Sequence, residues 1–198
     1  MLKIEMRGKA MKKIYIVTTF TGTLLSCLIK NISKTPYAHV SIALNESLKP
    51  MYSFGRLNPK TPIFAGFVEE NINEGLYAIR TNTMCRVYSL MVTEKQYEKL
   101  KKNIDNVSIN RKQYVYDVKA LVYLSVNKPR KKDYKYVCSH FVADMLQRSE
   151  IKIFDKEPHY VRPNDFYDLS NLELEYEGLL SNYYDKDNVD DIGVVVNI

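Results

Sequence analysis

Up to Val92 the chain is dominated by short segments in which apolar and polar residues alternate, and after Thr93 by segments with helical spacing. This division limits the folds open to it. The segments Lys13–Phe20, Tyr37–Leu44, Met51–Phe54, Phe67–Glu70, Leu76–Thr81 and Cys85–Val92 read as strands, most clearly in Arg86-Val87-Tyr88-Ser89-Leu90. Asn45–Pro50 turns the second strand into a hairpin with the third, and Arg56–Phe64, with Pro59 and Pro62, reads as a loop. One early helix is expected over Leu24–Ile32, after a turn at Gly22. Thr93 with Gln96 three residues on is a capping box, and Tyr97, Leu100 and Ile104 form the apolar stripe of the helix it opens. Further helices are expected over Asp117–Val126 and Tyr136–Ser149, a short helical turn at Pro163, and a late strand over Leu172–Tyr176. The pattern predicts an α+β domain, an antiparallel sheet packed on a helical layer. Its expected extent is 13–180, with an N-terminal extension over 1–12 and an acidic tail over 181–198.

A chain of 198 residues buries roughly 70% of its unfolded surface as one domain, so it folds without disulfides or metals. Cys27, Cys85 and Cys138 stand at long, unmatched spacings that make neither a disulfide framework nor a zinc site. Reduced thiols and a cytoplasmic location are therefore expected, with no metal and no cofactor. The net charge of +6 conceals an asymmetry: residues 150–198 hold twelve acidic side chains against four basic ones, which leaves +14 on residues 1–149. The basic residues are scattered rather than clustered, so no nucleic-acid partner is expected, whereas peripheral contact with an anionic membrane is compatible with such a body. Met11-Lys12-Lys13 ahead of Ile14–Leu25 resembles an export signal, and Leu24-Leu25-Ser26-Cys27 matches a bacterial lipobox. Four threonines (Thr18, Thr19, Thr21 and Thr23) interrupt that stretch, and it reads better as strand, turn and helix. No run approaches the ~18 apolar residues of a spanning helix.

Cys138 lies at the start of its predicted helix, in the first turn. A thiol there meets the positive end of the helix dipole and unpaired backbone N–H groups, which favour the thiolate and can hold a developing oxyanion. A cysteine nucleophile also needs an imidazole to take and return a proton. His140 lies two residues on, about 200° round the helix, and faces away. His159 reads as a surface loop residue. His39, held in a strand among apolar neighbours, is the best base. Cys27 and Cys85 fit structural roles, one inside a helix and one beside a strand start.

The pair, a strand histidine followed about 100 residues later by a helix-start cysteine, resembles the circularly permuted branch of the NlpC-type papain-like hydrolases. That branch includes the YiiX-like bacterial proteins and is related to lecithin–retinol acyltransferase. Tyr37-Ala38-His39-Val40-Ser41-Ile42 is similar to the family's (Y/S)-x-H-V-(G/S)-(I/L) strand, and Val137-Cys138-Ser139-His140-Phe141-Val142 to the N-C-E-H-F-V motif of the acyltransferases. The resemblance covers about residues 13–170, and its diagnostic motifs about twenty of them.

The resemblance implies a permuted papain-like fold in which the Cys helix follows the His strand. It implies Cys138 as nucleophile, His39 as base and a third polar residue on the strand after the histidine. That strand reads Met51-Tyr52-Ser53-Phe54-Gly55-Arg56 and carries no acid or amide, so Ser53 is the closest match, with Glu46 in the preceding turn a poorer one. Tyr37 either lines the site and donates to the oxyanion or packs as an aromatic on the sheet. Arg56 and the Pro59–Pro62 loop are candidates for a substrate mouth. The implied chemistry is attack by the Cys138 thiolate on an amide or ester carbonyl, protonation of the leaving group by His39, and cleavage of the thioester by water or another acceptor. A cytoplasmic amidase or peptidase acting on a small peptide-like substrate is the expected activity. The alternatives are a lipid acyltransferase at a membrane surface and a non-catalytic binding relative of the fold.

Overall fold

The computed structural model describes residues 10–22, 37–58, 65–117, 119–120, 132–167 and 169–183. Six strands form an antiparallel sheet in the order β4-β3-β2-β1-β5-β8: β1 (Met11–Phe20), β2 (His39–Ala43), β3 (Met51–Arg56), β4 (Ala65–Glu70), β5 (Met84–Thr93) and β8 (Glu173–Leu179). Helices α1 (Gly75–Ile79), α2 (Glu94–Ile109) and α3 (Cys138–Arg148) accompany the sheet, with a short parallel pair β6 (Val115–Tyr116) and β7 (Lys135–Tyr136) and short 3-10 turns such as Pro163–Phe166. The fold class is α+β.

The central strand β1 is buried on both faces, and its alternation divides the core. Ile14 and Ile16 join Val40, Ile42, Phe54, Leu100, Ile104, Phe141 and Met145 in the cluster beneath α2 and α3. Tyr15 and Val17 point the other way, into a cluster with Ala43, Met51, Cys85, Val87, Tyr77 and Leu180. Phe54 is fully buried, its ring 5.2 Å from those of Tyr136 and Phe141. Truncating such an aromatic costs about 3–5 kcal/mol. These contacts fasten α3 to β3 just past the start of the helix, and so fix where Cys138 stands.

Helix α2 starts as expected. The Thr93 hydroxyl accepts from the Gln96 N–H at 3.3 Å, and the Gln96 side chain accepts from the Thr93 N–H at 3.0 Å. Helix α3 starts differently. Val137 has no capping side chain, so the first-turn N–H groups are left without one. The helix is instead anchored by the Ser139 hydroxyl, which donates to the Val161 carbonyl at 2.6 Å.

Several boundaries differ from the sequence expectation: the helix expected from Tyr136 opens at Cys138, with Tyr136 in β7, and the late strand runs on to Leu179. Leu76–Thr81 is not a strand: Gly75 takes φ +57° and opens α1 over Gly75–Ile79, with Tyr77 its buried residue. A short apolar run carries too few residues for periodicity to tell helix from strand. β1 begins at Met11, so Met11 and Lys12 belong to the sheet, where they pair with Thr93 and Val92. At the other end, Leu180 is buried and the Tyr183 hydroxyl donates to the Glu46 carbonyl, so the chain remains part of the fold to residue 183. The expected helix over Leu24–Ile32, the lipobox-like Leu24–Cys27 and the prolines Pro59 and Pro62 lie outside the described residues. So do most of the helix expected after Asp117 and the tail beyond residue 183. Among the described residues no helix is long and apolar enough to cross a membrane.

Candidate functional site

His39 is the first residue of β2, paired with Thr19 of β1. Its ring meets three side chains. Nε2 lies 3.0 and 3.2 Å from the two carboxylate oxygens of Glu70 and 3.3 Å from the Ser41 hydroxyl. Cys138 stands within electrostatic reach of the ring and favours its charged form. With Nε2 committed to Glu70, Nδ1 is the nitrogen left for the thiol. The structure therefore brings together the two residues singled out in the sequence, Cys138 and His39, and adds a carboxylate.

Glu70 reaches His39 from β4, two strands away. Neighbouring strands stand about 4.8 Å apart, so the side chains must meet over β3. Continuing the β2–β3 register of Ile42↔Tyr52 and Ala43↔Met51 puts His39 opposite Gly55. A Cβ at Gly55 would lie 3.4 Å from His39 Cε1 and 3.6 Å from Glu70 Oε1. The missing side chain leaves the ring and the carboxylate their room. Besides the ring, Glu70 Oε2 accepts from the Ser41 hydroxyl at 2.6 Å and from the Tyr77 hydroxyl at 3.4 Å, and Tyr77 in turn lies 3.3 Å from the Thr19 hydroxyl.

The charges follow from these contacts. Burial disfavours the imidazolium, but the Glu70 carboxylate, Cys138 and the hydrogen bond to Glu70 outweigh it and hold His39 well above its ordinary pKa. Burial also disfavours the Glu70 carboxylate, and the His39 charge with the Ser41 and Tyr77 hydroxyls outweighs it, so Glu70 titrates below its usual range. Burial and the Glu70 charge push Tyr77 far up, which keeps its hydroxyl protonated as a donor. The His39 and Glu70 side chains keep 20% and 16% of their surface exposed, enough to be reached and little enough for their attraction to escape solvent screening.

Ser53, expected at the third position, is not the ring's partner. Its buried hydroxyl donates to the Val40 carbonyl at 2.7 Å, a bond within the sheet. A serine side chain on β3 is too short to do more than satisfy the neighbouring backbone. Glu46 takes part through its backbone carbonyl, which accepts from Tyr183. Tyr37 is likewise committed elsewhere: its hydroxyl donates to Glu177 of β8 at 3.1 Å, and its ring lies 6.1 Å from that of Tyr167. His140 and His159 face each other, ring centroids 6.3 Å apart, with His140 against Tyr136.

Two residues beside the site carried no sequence signal. Glu70 ends a predicted strand as an unremarked acid, and only the glycine inside β3 hints that side chains cross there. Tyr116, on the two-residue β6, pairs with Tyr136, two residues before Cys138. Burial raises its pKa, the Cys138 charge adds to this, and the Arg56 charge opposes it, so the phenol stands within electrostatic reach of both. A cleft of about 330 Å³, bordered by Arg56, Phe67, Glu70, Tyr77 and Arg111 among others, opens against the same carboxylate. Among the described residues no group of three or more His, Cys, Asp or Glu side chains is placed to hold a metal ion. Comparison with protein-family models and with curated proteins gives no match to the chain.

Proposed function

We propose that the protein is a cysteine hydrolase of the permuted papain-like kind, which cleaves an amide or ester through a thioester on Cys138. The observation that carries this reading is the Cys138–His39–Glu70 grouping: a thiol at an uncapped helix start, within electrostatic reach of a histidine whose Nε2 is held by a carboxylate. Each part has a task. Glu70 keeps His39 protonated, the imidazolium pairs with the sulfur as it attacks, and the first-turn N–H groups of α3, which no side chain caps, receive the oxyanion. Tyr116, within electrostatic reach of Cys138, is the candidate phenolic donor for the same oxyanion, the part Tyr37 cannot take while bonded to Glu177. In the first step sulfur bonds to the carbonyl carbon. Collapse of the tetrahedral adduct then breaks the bond to the leaving group, which takes the proton of His39. In the second, His39 accepts a proton from water as its oxygen attacks the thioester, and the thiolate leaves.

The His strand preceding the Cys helix in one antiparallel α+β domain supports the permuted order. The case for a non-catalytic relative rested on the lack of an acid on β3, and Glu70 on β4 weakens it. A lipid acyltransferase would use the same first step with a different second acceptor, and the basic body of residues 1–149 favours it only in so far as its acceptor lies at an anionic surface. Mass spectrometry of the intact protein mixed with a panel of activated esters and acyl amides tests the proposal. A hydroxylamine-sensitive acyl adduct on Cys138, absent in Cys138→Ala and slowed in His39→Ala, is expected. Acylation at the same rate in His39→Ala would overturn it.

A further inference from the structure

Ser41 is fully buried in the middle of β2, between His39 and Ala43. Its hydroxyl makes the shortest bond to the Glu70 carboxylate, 2.6 Å to Oε2, and stands 3.3 Å from His39 Nε2. Glu70 needs such a partner. Its long side chain crosses β3 from the edge strand β4 and borders the cleft of about 330 Å³. Tyr77 donates to the same oxygen from α1 at 3.4 Å. Two hydroxyls therefore converge on Oε2, while Oε1, at 3.0 Å, is the oxygen nearer Nε2.

We propose that Ser41 is a positioning residue: its hydroxyl pins the Glu70 carboxylate against the His39 ring and so holds Nδ1 toward Cys138. The role rests on the hydrolase reading for its purpose, but not for its measurement. Five groups bear on the ring's charge: Glu70 from β4, Cys138 from α3, Tyr77 facing Glu70 from α1, and Tyr116 with Arg56 facing Cys138. Of the buried hydroxyls of β2 and β3, Ser41 touches this set and Ser53 bonds to backbone. The two serines thus separate positioning from mere packing.

The test is an NMR titration of the His39 ring in the full chain, which requires no substrate. Loss of the Ser41 hydroxyl weakens the hold on the carboxylate, so Ser41→Ala is expected to lower the His39 pKa by about one unit. Ser53→Ala is expected to leave it in place. In a Glu70→Gln background Ser41→Ala should change nothing further, because the charge it positions is gone. Ser41→Gly provides the same comparison should the alanine variant fail to fold. A His39 titration that Ser41→Ala leaves unmoved, or that both serine variants move alike, overturns the proposal. A shifted titration without any acyl adduct on Cys138 would remove the hydrolase reading and leave the positioning role standing. An adduct with an unmoved titration would do the reverse.

Discussion

Cys138 and Cys85 are almost equally buried, 3% and 0% exposed, and the structure gives them opposite prospects. Cys85 sits in β5 between Thr19 of β1 and Gly178 of β8. Burial, aided by the Glu177 charge, pushes its thiol up to about 12, so it stays protonated and inert at neutral pH. Cys138 stands instead at the start of α3, within electrostatic reach of His39, and the N-cap Val137 offers no side-chain hydrogen bond. Burial is common to the two thiols; what differs is the nearest charged side chain, Glu177 for Cys85 and His39 for Cys138. The comparison is broken most directly by alkylation with iodoacetamide at neutral pH, read cysteine by cysteine. Cys138 is expected to react at least about 100-fold faster than Cys85, and His39→Ala to remove most of that advantage, by about tenfold or more. Similar rates at both thiols in the native protein would refute the assignment.

The Glu70 side of the comparison is tested through stability. His39 titrates above its ordinary 6.5, so its contribution is complete below pH 6.5 and fades as pH rises through the folded value. Glu70 titrates below its ordinary 4.5, so its contribution is complete above pH 4.5 and fades as pH falls through the folded value. Both are present between pH 4.5 and 6.5. Glu70→Gln keeps the shape and removes the charge, and the loss of stability is expected to peak in that window at about 1–2 kcal/mol. Denaturant unfolding across pH 3.5–9 measures it. A loss that is flat with pH would mean that the pair contributes shape and not charge.

How far the site was legible depends on the range over which each contact acts. Cys138 was visible because a helix start is a local event, written in the apolar spacing of Phe141, Val142, Met145 and Leu146. His39 was visible because the strand around it alternates. Glu70 was hidden because its partner is two strands away, and the meeting depends on the β2–β3–β4 register and on the gap at Gly55. Ser53 was the closest match on the strand where the resemblance implies a third polar residue, but its short side chain finds the Val40 carbonyl first. Tyr116 lies in a strand of two residues whose parallel pairing with β7 leaves no periodic trace. Most of the sheet and α2 followed from patterns within ten residues, whereas α1 was lost because Leu76–Ile79 is too short to show its period.

Gly55 offers the finest test of the difference between the two thiols, since it touches the partner of one and nothing near the other. An added methyl would sit at 3.4 Å from both His39 Cε1 and Val68 Cγ2, which is ordinary van der Waals contact. The backbone there is not in the left-handed region, so alanine brings no strain, and stiffening the unfolded chain favours the fold by about 0.4–1 kcal/mol. Gly55→Ala should therefore leave stability unchanged or slightly raised and slow Cys138 alkylation by less than about threefold, with Cys85 unaffected. Gly55→Val adds two further methyls, and overpacking of this size displaces neighbours. The neighbours here are the His39 ring and the Glu70 carboxylate. Its Cys138 rate should fall toward that of His39→Ala while circular dichroism still reports the folded sheet. Retention of the full Cys138 rate in Gly55→Val would mean that the ring and the carboxylate do not need the space over β3, and that the thiol owes its reactivity to the helix start alone.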